Sequence, residues 1–286
     1  MSISSIVSTE WLAAHLNDAN LRIVDVRWYL LDKDKNGRDE YLRGHIPGAI
    51  FLDVDTDLAA PRGQGPGRHP LPRADAFAET MARAGIGVDT NVIAYDDCGG
   101  VNAARVWWLL RHFGHAQVSL LDGGVTRWIA EGRPLQTQIP PVPRTNFIAL
   151  PRAGDLADQK LVDTLRSDPR ALVLDVRVPE RYEGKIEPLD PRAGHVPGAK
   201  NAPAAGNLRA PDDPRFLDAD ALRARYAALG ADQAERVAAY CGSGINACQT
   251  IFALHLVGRD DALLYEGSWS DWSRTPGTPV ATGPNP

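Results

Sequence analysis

Of the three cysteines in this 286-residue chain, Cys98, Cys241 and Cys248, one sits where chemistry is possible. Cys241 follows the apolar run 237–240 and opens the segment Cys241-Gly242-Ser243-Gly244-Ile245-Asn246-Ala247. The pattern reads as a strand entering a tight loop with two glycines, then a helix. Gly242 and Gly244 can adopt conformations closed to other residues. Such a loop turns its N–H groups inward and makes an anion-binding nest at the positive end of the following helix. A thiol at the base of that nest, ordinarily with a pKa of about 8.5, is expected to be held as a nucleophilic thiolate. A lone cysteine at a strand end is more often a small buried hydrophobe. A packing cysteine, however, needs neither the two glycines nor the helix start. Cys248, inside the helix, and Cys98 are read as packing residues.

Two other cysteine chemistries fit less well. Phosphatases need an arginine six positions after the cysteine to hold phosphate bidentately, and that position is Ala247. Cysteine hydrolases need a histidine base. His45 and His195 both lie in Gly-His-x-Pro-Gly turns. A turn that occurs twice has a structural task first, and only one copy can face Cys241.

The elements that must position Cys241 are written twice in the chain. The stretch 21–27 (LRIVDVR) returns as 171–177 (ALVLDVR), and 44–49 (GHIPGA) returns as 194–199 (GHVPGA). Gly100-Val101-Asn102-Ala103 matches Gly244-Ile245-Asn246-Ala247, and Leu120 to Gly123 with Trp128 matches Leu264 to Gly267 with Trp272. Four landmarks in one order imply tandem units. This alignment sets Asp97 against Cys241, and a carboxylate cannot replace a thiolate nucleophile, so the first unit is expected to be a spent copy. Apolar runs at 22–26, 92–95, 118–121, 171–176, 237–240 and 262–265 are expected strands. Helices are expected at 75–84 and 218–229, ended by Gly85 and Gly230, and at 103–113 and 247–257. Alternating strands and helices predict an α/β fold. Each unit would be a mainly parallel sheet flanked by helices on both faces, with its ligand site at the carboxyl ends of the strands. The expected organisation is an inactive unit 1–136, a Pro-rich linker 137–150 and a catalytic unit 151–286.

Composition narrows the partners. Apolar residues make up 44% and charged residues 23%, with a net charge of -5. That balance argues against nucleic acid or an anionic membrane as partner, both of which demand a basic face. No apolar run approaches a membrane span of about 20 residues. An odd cysteine count without a CxxC pair fits a reducing compartment and argues against structural zinc, so a cytoplasmic location without bound metal is expected.

Together the paired Asp-x-Arg strands, the paired Gly-His-x-Pro-Gly-Ala turns, the Cys241 loop and the Gly-Ser-Trp-Ser-Asp-Trp segment 267–272 resemble the tandem-domain rhodanese family. These are the thiosulfate and 3-mercaptopyruvate sulfurtransferases, and the resemblance covers nearly the whole chain. It implies ping-pong transfer of a sulfane sulfur through a persulfide on Cys241 to cyanide, a thiol or a protein acceptor, with no cofactor. Thiosulfate enzymes of the family typically carry two basic residues after the cysteine, whereas Gly242-Ser243-Gly244 looks like the mercaptopyruvate group. The resemblance further implies that Ser243 works with a first-domain histidine, matched by its turn to His45, and with an aspartate, either Asp34 or Asp39. It places Arg181 and a second arginine, nearest Arg192, on the donor carboxylate. Asn246 departs from the family's usual threonine. Three alternatives remain: thiosulfate:cyanide transfer, a persulfide carrier serving a thioredoxin-like or other protein acceptor, and an inactive binding module. The intact Cys241 loop argues against the last.

Overall fold

In the computed structural model, residues 3–286 are described. The chain forms two compact units, one of Met1–Ala59, Pro72–Arg152 and Leu208–Phe216, the other of Ala60–Leu71, Ala153–Asn207 and Leu217–Pro286. The units are therefore not the two halves of the sequence. Each half contributes a short irregular or hairpin segment to the other unit, and stretch 137–150 belongs to the first.

The first unit contains strands β1 (Ile6–Val7), β2 (Leu21–Asp25), β3 (Ile50–Phe51), β4 (Asn91–Tyr95) and β5 (Val118–Leu121). Its helices are α1 (Thr9–His15), α2 (Gly37–Arg43), α3 (Ala74–Arg83), α4 (Ala103–His112) and α5 (Gly124–Ala130). The sheet runs β1-β5-β4-β2-β3, and every pairing in it is parallel. The second unit repeats the plan with β6 (Leu156–Ala157), β7 (Ala171–Asp175) and β8 (Lys200–Asn201). A hairpin of β9 (Leu208–Ala210) and β10 (Asp213–Phe216) comes next in the chain and belongs to the first unit. Then follow β11 (Arg236–Tyr240) and β12 (Leu263–Tyr265). The helices here are α6 (Gln159–Leu165), α7 (Pro179–Tyr182), α8 (Ala219–Ala228), α9 (Asn246–Leu256) and α10 (Ser268–Trp272). The order β6-β12-β11-β7-β8 is that of the first sheet, again parallel throughout.

The central strands are buried along nearly their whole length, as parallel strands must be, and their side chains build one core per unit. Gly85 and Gly230 follow α3 and α8 with φ of +68° and +89°, the left-handed conformation expected past a helix end. Asp158 and Asp218 accept N–H bonds from Leu161 and Ala221 and start α6 and α8.

The duplicated landmarks are structural staples. The carboxylates of Asp25 and Asp175 pair with Arg27 and Arg177, each at 2.6 Å, and each arginine also donates to a carbonyl, of Gly44 and Gly194. His45 stacks on Tyr41 and His195 on Tyr182, at 3.9 and 3.7 Å between centroids. Each Nδ1 lies 2.8 Å from that tyrosine's carbonyl oxygen. Trp128 and Trp272 donate to the carbonyls of Pro134 and Pro279, both at 2.8 Å.

Candidate active site

Strand β11 delivers Cys241 into the loop before α9. Cys241 is 2% exposed, and the N–H of Gly244 donates to its Sγ at 3.1 Å. Gly244 has φ of +83°, and a Cβ there would stand 2.6 Å from the carbonyl oxygen of Glu266, so both its conformation and its surroundings demand glycine. The loop's outer edge is pinned by the first turn of α10. The N–H groups of Trp269 and Ser270 donate to the carbonyls of Cys241 and Gly242, at 3.0 and 2.9 Å. Ser268 has φ of +52°, the one non-glycine residue in the left-handed region among the described residues. Its Oγ accepts from the Cys241 N–H at 3.1 Å and donates to the Tyr265 carbonyl at 2.8 Å. Ile245 is buried, whereas Asn246 is exposed at the first position of α9. Cys248 is buried one turn further on, its thiol directed at the Gly244 carbonyl.

A segment from the first half of the sequence completes this unit's loop region. Gly67, with φ of +74°, passes so close to Gly267 that a Cβ would lie 2.5 Å from its carbonyl oxygen. The Arg68 N–H donates to Ser270 Oγ at 3.0 Å, and the Leu71 N–H to a Glu266 carboxylate oxygen at 3.1 Å. Held in this way, His69 places its Nδ1 2.7 Å from Ser243 Oγ. With the imidazole proton on Nδ1, His69 donates to Ser243 Oγ and leaves the serine hydroxyl hydrogen free to point away from the ring. Arg68 is 4% exposed, and its Nε and Nη2 have no hydrogen-bond partner among the described residues. A Cβ on Gly242 would lie 3.1 Å from Arg68 Nη2 and 3.3 Å from Arg181 Nη1, so two guanidinium groups converge over the loop beside Cys241.

Both arginines are tied by buried carboxylates. Glu187 accepts from Arg181 at 2.7 and 3.2 Å, from Arg177 at 3.3 Å, and from the N–H groups of Leu189 and Asp190. Asp190, with a fully buried side chain, bridges Arg68 and Arg181.

Two sequence expectations need correction. His45 is a structural residue: fully buried in the first unit, it stacks on Tyr41, and its Nε2 faces the Gln136 amide at 3.3 Å. The histidine on Ser243 is His69. Arg192 is likewise committed elsewhere, donating to the carbonyls of Ser273, Trp272, Thr275 and Thr278 and so fastening the chain after α10. The second arginine beside the loop is Arg68. Asp34 lies in the exposed 32–35 turn, and Asp39 in the first turn of α2, where its N–H caps onto Asn36.

The first unit's loop also differs from the sequence alignment. Tyr95 and Tyr240 hold equivalent register positions, each opposite the Asp of an Asp-x-Arg strand. The Asp96 carbonyl accepts from Val125 N–H as that of Cys241 accepts from Trp269. Asp96, not Asp97, therefore occupies the place of Cys241. Its carboxylate accepts the N–H groups of Cys98, Gly100, Asn102 and Ala103 at 2.8–3.0 Å, so the nest is filled by the chain's own anion. Burial raises the Asp96 carboxyl above its ordinary pKa, against the pull of those amides.

The profile of the rhodanese-like domain matches the chain twice, over residues 8–131 and 158–275. A Pseudomonas aeruginosa protein named "Probable 3-mercaptopyruvate sulfurtransferase" is 40% identical over 286 residues, covering 99% of this chain and 100% of that protein. A Mycobacterium tuberculosis protein named "Putative thiosulfate sulfurtransferase SseB" is 41% identical over 264 residues, covering 91% and 90%. Among solved structures, Escherichia coli SseA, described as a 3-mercaptopyruvate sulfotransferase with the rhodanese fold, superimposes with a TM-score of 0.82. It is 32% identical and covers 94% of this chain and 100% of that one.

Proposed function

The chain belongs to the rhodanese-like family and is a sulfurtransferase, and we propose that it moves sulfur from 3-mercaptopyruvate through a persulfide on Cys241. The observation that carries the donor assignment is the convergence beside Cys241 of two guanidinium groups and the Ser243–His69 pair. A donor with a carboxylate at one end and a leaving carbanion at the other needs both features.

The Cys241 thiolate attacks the donor's sulfur. The new S–S bond forms as the carbon–sulfur bond breaks, and the bonding electron pair passes to C3 as the enolate of pyruvate. Ser243 supplies the proton that converts enolate to pyruvate and is resupplied through His69. Arg68 Nε and Nη2, buried and unpartnered, fit the donor carboxylate, with Arg181 beside them. The Gly244 N–H, aimed at Sγ, stabilises the negative charge that returns to this sulfur when the acceptor removes the outer one. A thiolate or cyanide attacks that outer sulfur, giving a persulfide or thiocyanate, and Cys241 regains its electron pair. No step uses a metal or an organic cofactor. The loop 241–247 itself contains no lysine or arginine, and basic residues there are the feature that would favour a thiosulfate donor.

The test is mass spectrometry of the intact protein after mercaptopyruvate treatment without acceptor. One added sulfur on the wild type and none on Cys241→Ser is expected, with Cys98→Ser and Cys248→Ser behaving as wild type. Addition to the Cys241→Ser protein would refute the assignment. Thiosulfate as the better donor would refute the mercaptopyruvate reading while leaving the persulfide in place.

A further inference from the structure

We propose that Asp190 sets the donor preference by charge: it cancels one of the two cations at the loop, so that the site accepts a monoanionic donor and disfavours a dianionic one. This inference rests on the mercaptopyruvate reading and adds a residue to it.

Two guanidinium groups next to a nucleophilic cysteine would, taken alone, suit thiosulfate. The structure shows why they do not amount to two available charges. Arg68, Arg177 and Arg181 face the carboxylates of Asp175, Glu187 and Asp190, and the pairs are linked into one buried set. Three cations meet three anions, so the set is neutral before any donor binds. Asp190 is the member that touches both arginines over Gly242, one oxygen on Arg68 and the other on Arg181 at 3.4 Å. Its side chain is fully buried, so solvent does not screen it. Each further negative charge brought to the loop must be desolvated against this balanced set. A carboxylate brings one charge and leaves the rest of mercaptopyruvate uncharged. Thiosulfate brings two. The arginines still orient the donor through unpaired N–H groups, because Arg68 Nε and Nη2 are not consumed by Asp190. Asp190 thus separates two properties that arginines usually deliver together: directional hydrogen bonds are kept, and net charge is removed.

Glu187 cannot play this part. It divides its oxygens between Arg177, Arg181 and two backbone N–H groups, all of which hold the 187–190 turn. Asp175 faces Arg177 alone among the three cations.

The experiment is kcat/KM for mercaptopyruvate and for thiosulfate, with cyanide as acceptor, in wild type, Asp190→Asn and Asp190→Glu. Asp190→Asn should raise the thiosulfate-to-mercaptopyruvate ratio at least tenfold. Asp190→Glu, which keeps the charge and disturbs the packing, should leave the ratio within about threefold of wild type. An unchanged ratio in Asp190→Asn, or an equal shift in both variants, overturns the proposal. A competition measurement on the wild type needs no variant: pyruvate should inhibit mercaptopyruvate turnover at lower concentration than sulfate. Sulfate as the stronger competitor overturns the proposal as well. A wild type that itself prefers thiosulfate overturns the proposal together with the donor reading, whereas a wild type that prefers mercaptopyruvate with an unchanged ratio in Asp190→Asn overturns the proposal alone.

Discussion

Ser268 carries more of the site than its distance from the sulfur suggests. Its left-handed backbone costs an L-residue about 1–2 kcal/mol, yet it is the residue whose Oγ receives the Cys241 N–H. The equivalent position of the first unit is Gly124, with φ of +57° and no side chain to offer. The serine therefore exchanges backbone comfort for a fixed cysteine. Ser268→Ala should keep the strain and lose the bond, whereas Ser268→Gly should lose both. Both variants should slow persulfide formation about tenfold in single-turnover assays. By urea denaturation the glycine variant should be about 1 kcal/mol more stable than the alanine variant. Full activity in either variant would show that the hydroxyl does not position Cys241. The same comparison of copies explains what the sequence discloses at this scale. Cys241, Gly242, Ser243 and Gly244 are legible because a strand, two glycines and a helix leave few alternatives. His45 misleads because repetition draws attention to it, and residues kept in both copies, such as His45 and His195 or Trp128 and Trp272, do the same structural work twice. The site residues are those where the copies differ: Asp96 against Cys241 and Gly124 against Ser268. His69 and Arg68 give one signal, a basic pair inside a Gly- and Pro-rich stretch where no helix or strand needs them.

At the level of elements, the two strand–loop–helix units show one design in two states. In the second unit the loop holds a sulfur atom; in the first it holds the Asp96 carboxylate. Four N–H groups, three of them buried, depend on that carboxylate, and a buried donor left unsatisfied costs about 1–3 kcal/mol. Asp96→Asn would set an amide nitrogen against two of these donors. It should lower stability by about 2–4 kcal/mol, measured by urea denaturation, whereas Asp97→Asn should cost under 1 kcal/mol. Equal effects would mean that Asp96 does not organise the loop. Central strands and the helices after each loop could be read from apolar runs and their flanking glycines. The two-residue strands β1, β3, β6 and β8 could not, since two residues carry no periodicity. Segment 60–71 was illegible for a related reason. Its position comes from single bonds such as Arg68 N–H to Ser270 and from the close pass of Gly67, neither of which leaves a repeating pattern.

Across the whole molecule, duplication gives two parallel sheets of the same strand order, each with a buried histidine whose charge folding disfavours. His115 lies in the first unit, its Nε2–H donating to the Thr90 carbonyl at 2.9 Å, and burial lowers its pKa below 6.5. His195 lies in the second, lowered from 6.5 by the same cause. A histidine with a depressed folded pKa is neutral in the native state and takes up a proton more readily when unfolded. The unfolded chain thus binds more protons just below pH 6.5, so stability rises with pH through that window and falls on acidification. Asp57, Asp96 and Asp122 act in the opposite sense, because burial raises their carboxyls, but their window opens upward from 3.8. The urea midpoint should therefore fall between pH 7.5 and 5.5. His115→Gln preserves a donor toward Thr90 and removes a titrating group. Its midpoint should change less over the same interval than that of the wild type. A wild-type midpoint that is flat, or one that rises as the pH drops, would mean that the buried carboxylates and not the histidines govern acid stability. A slope unchanged by His115→Gln would transfer the effect to His195 and the second unit.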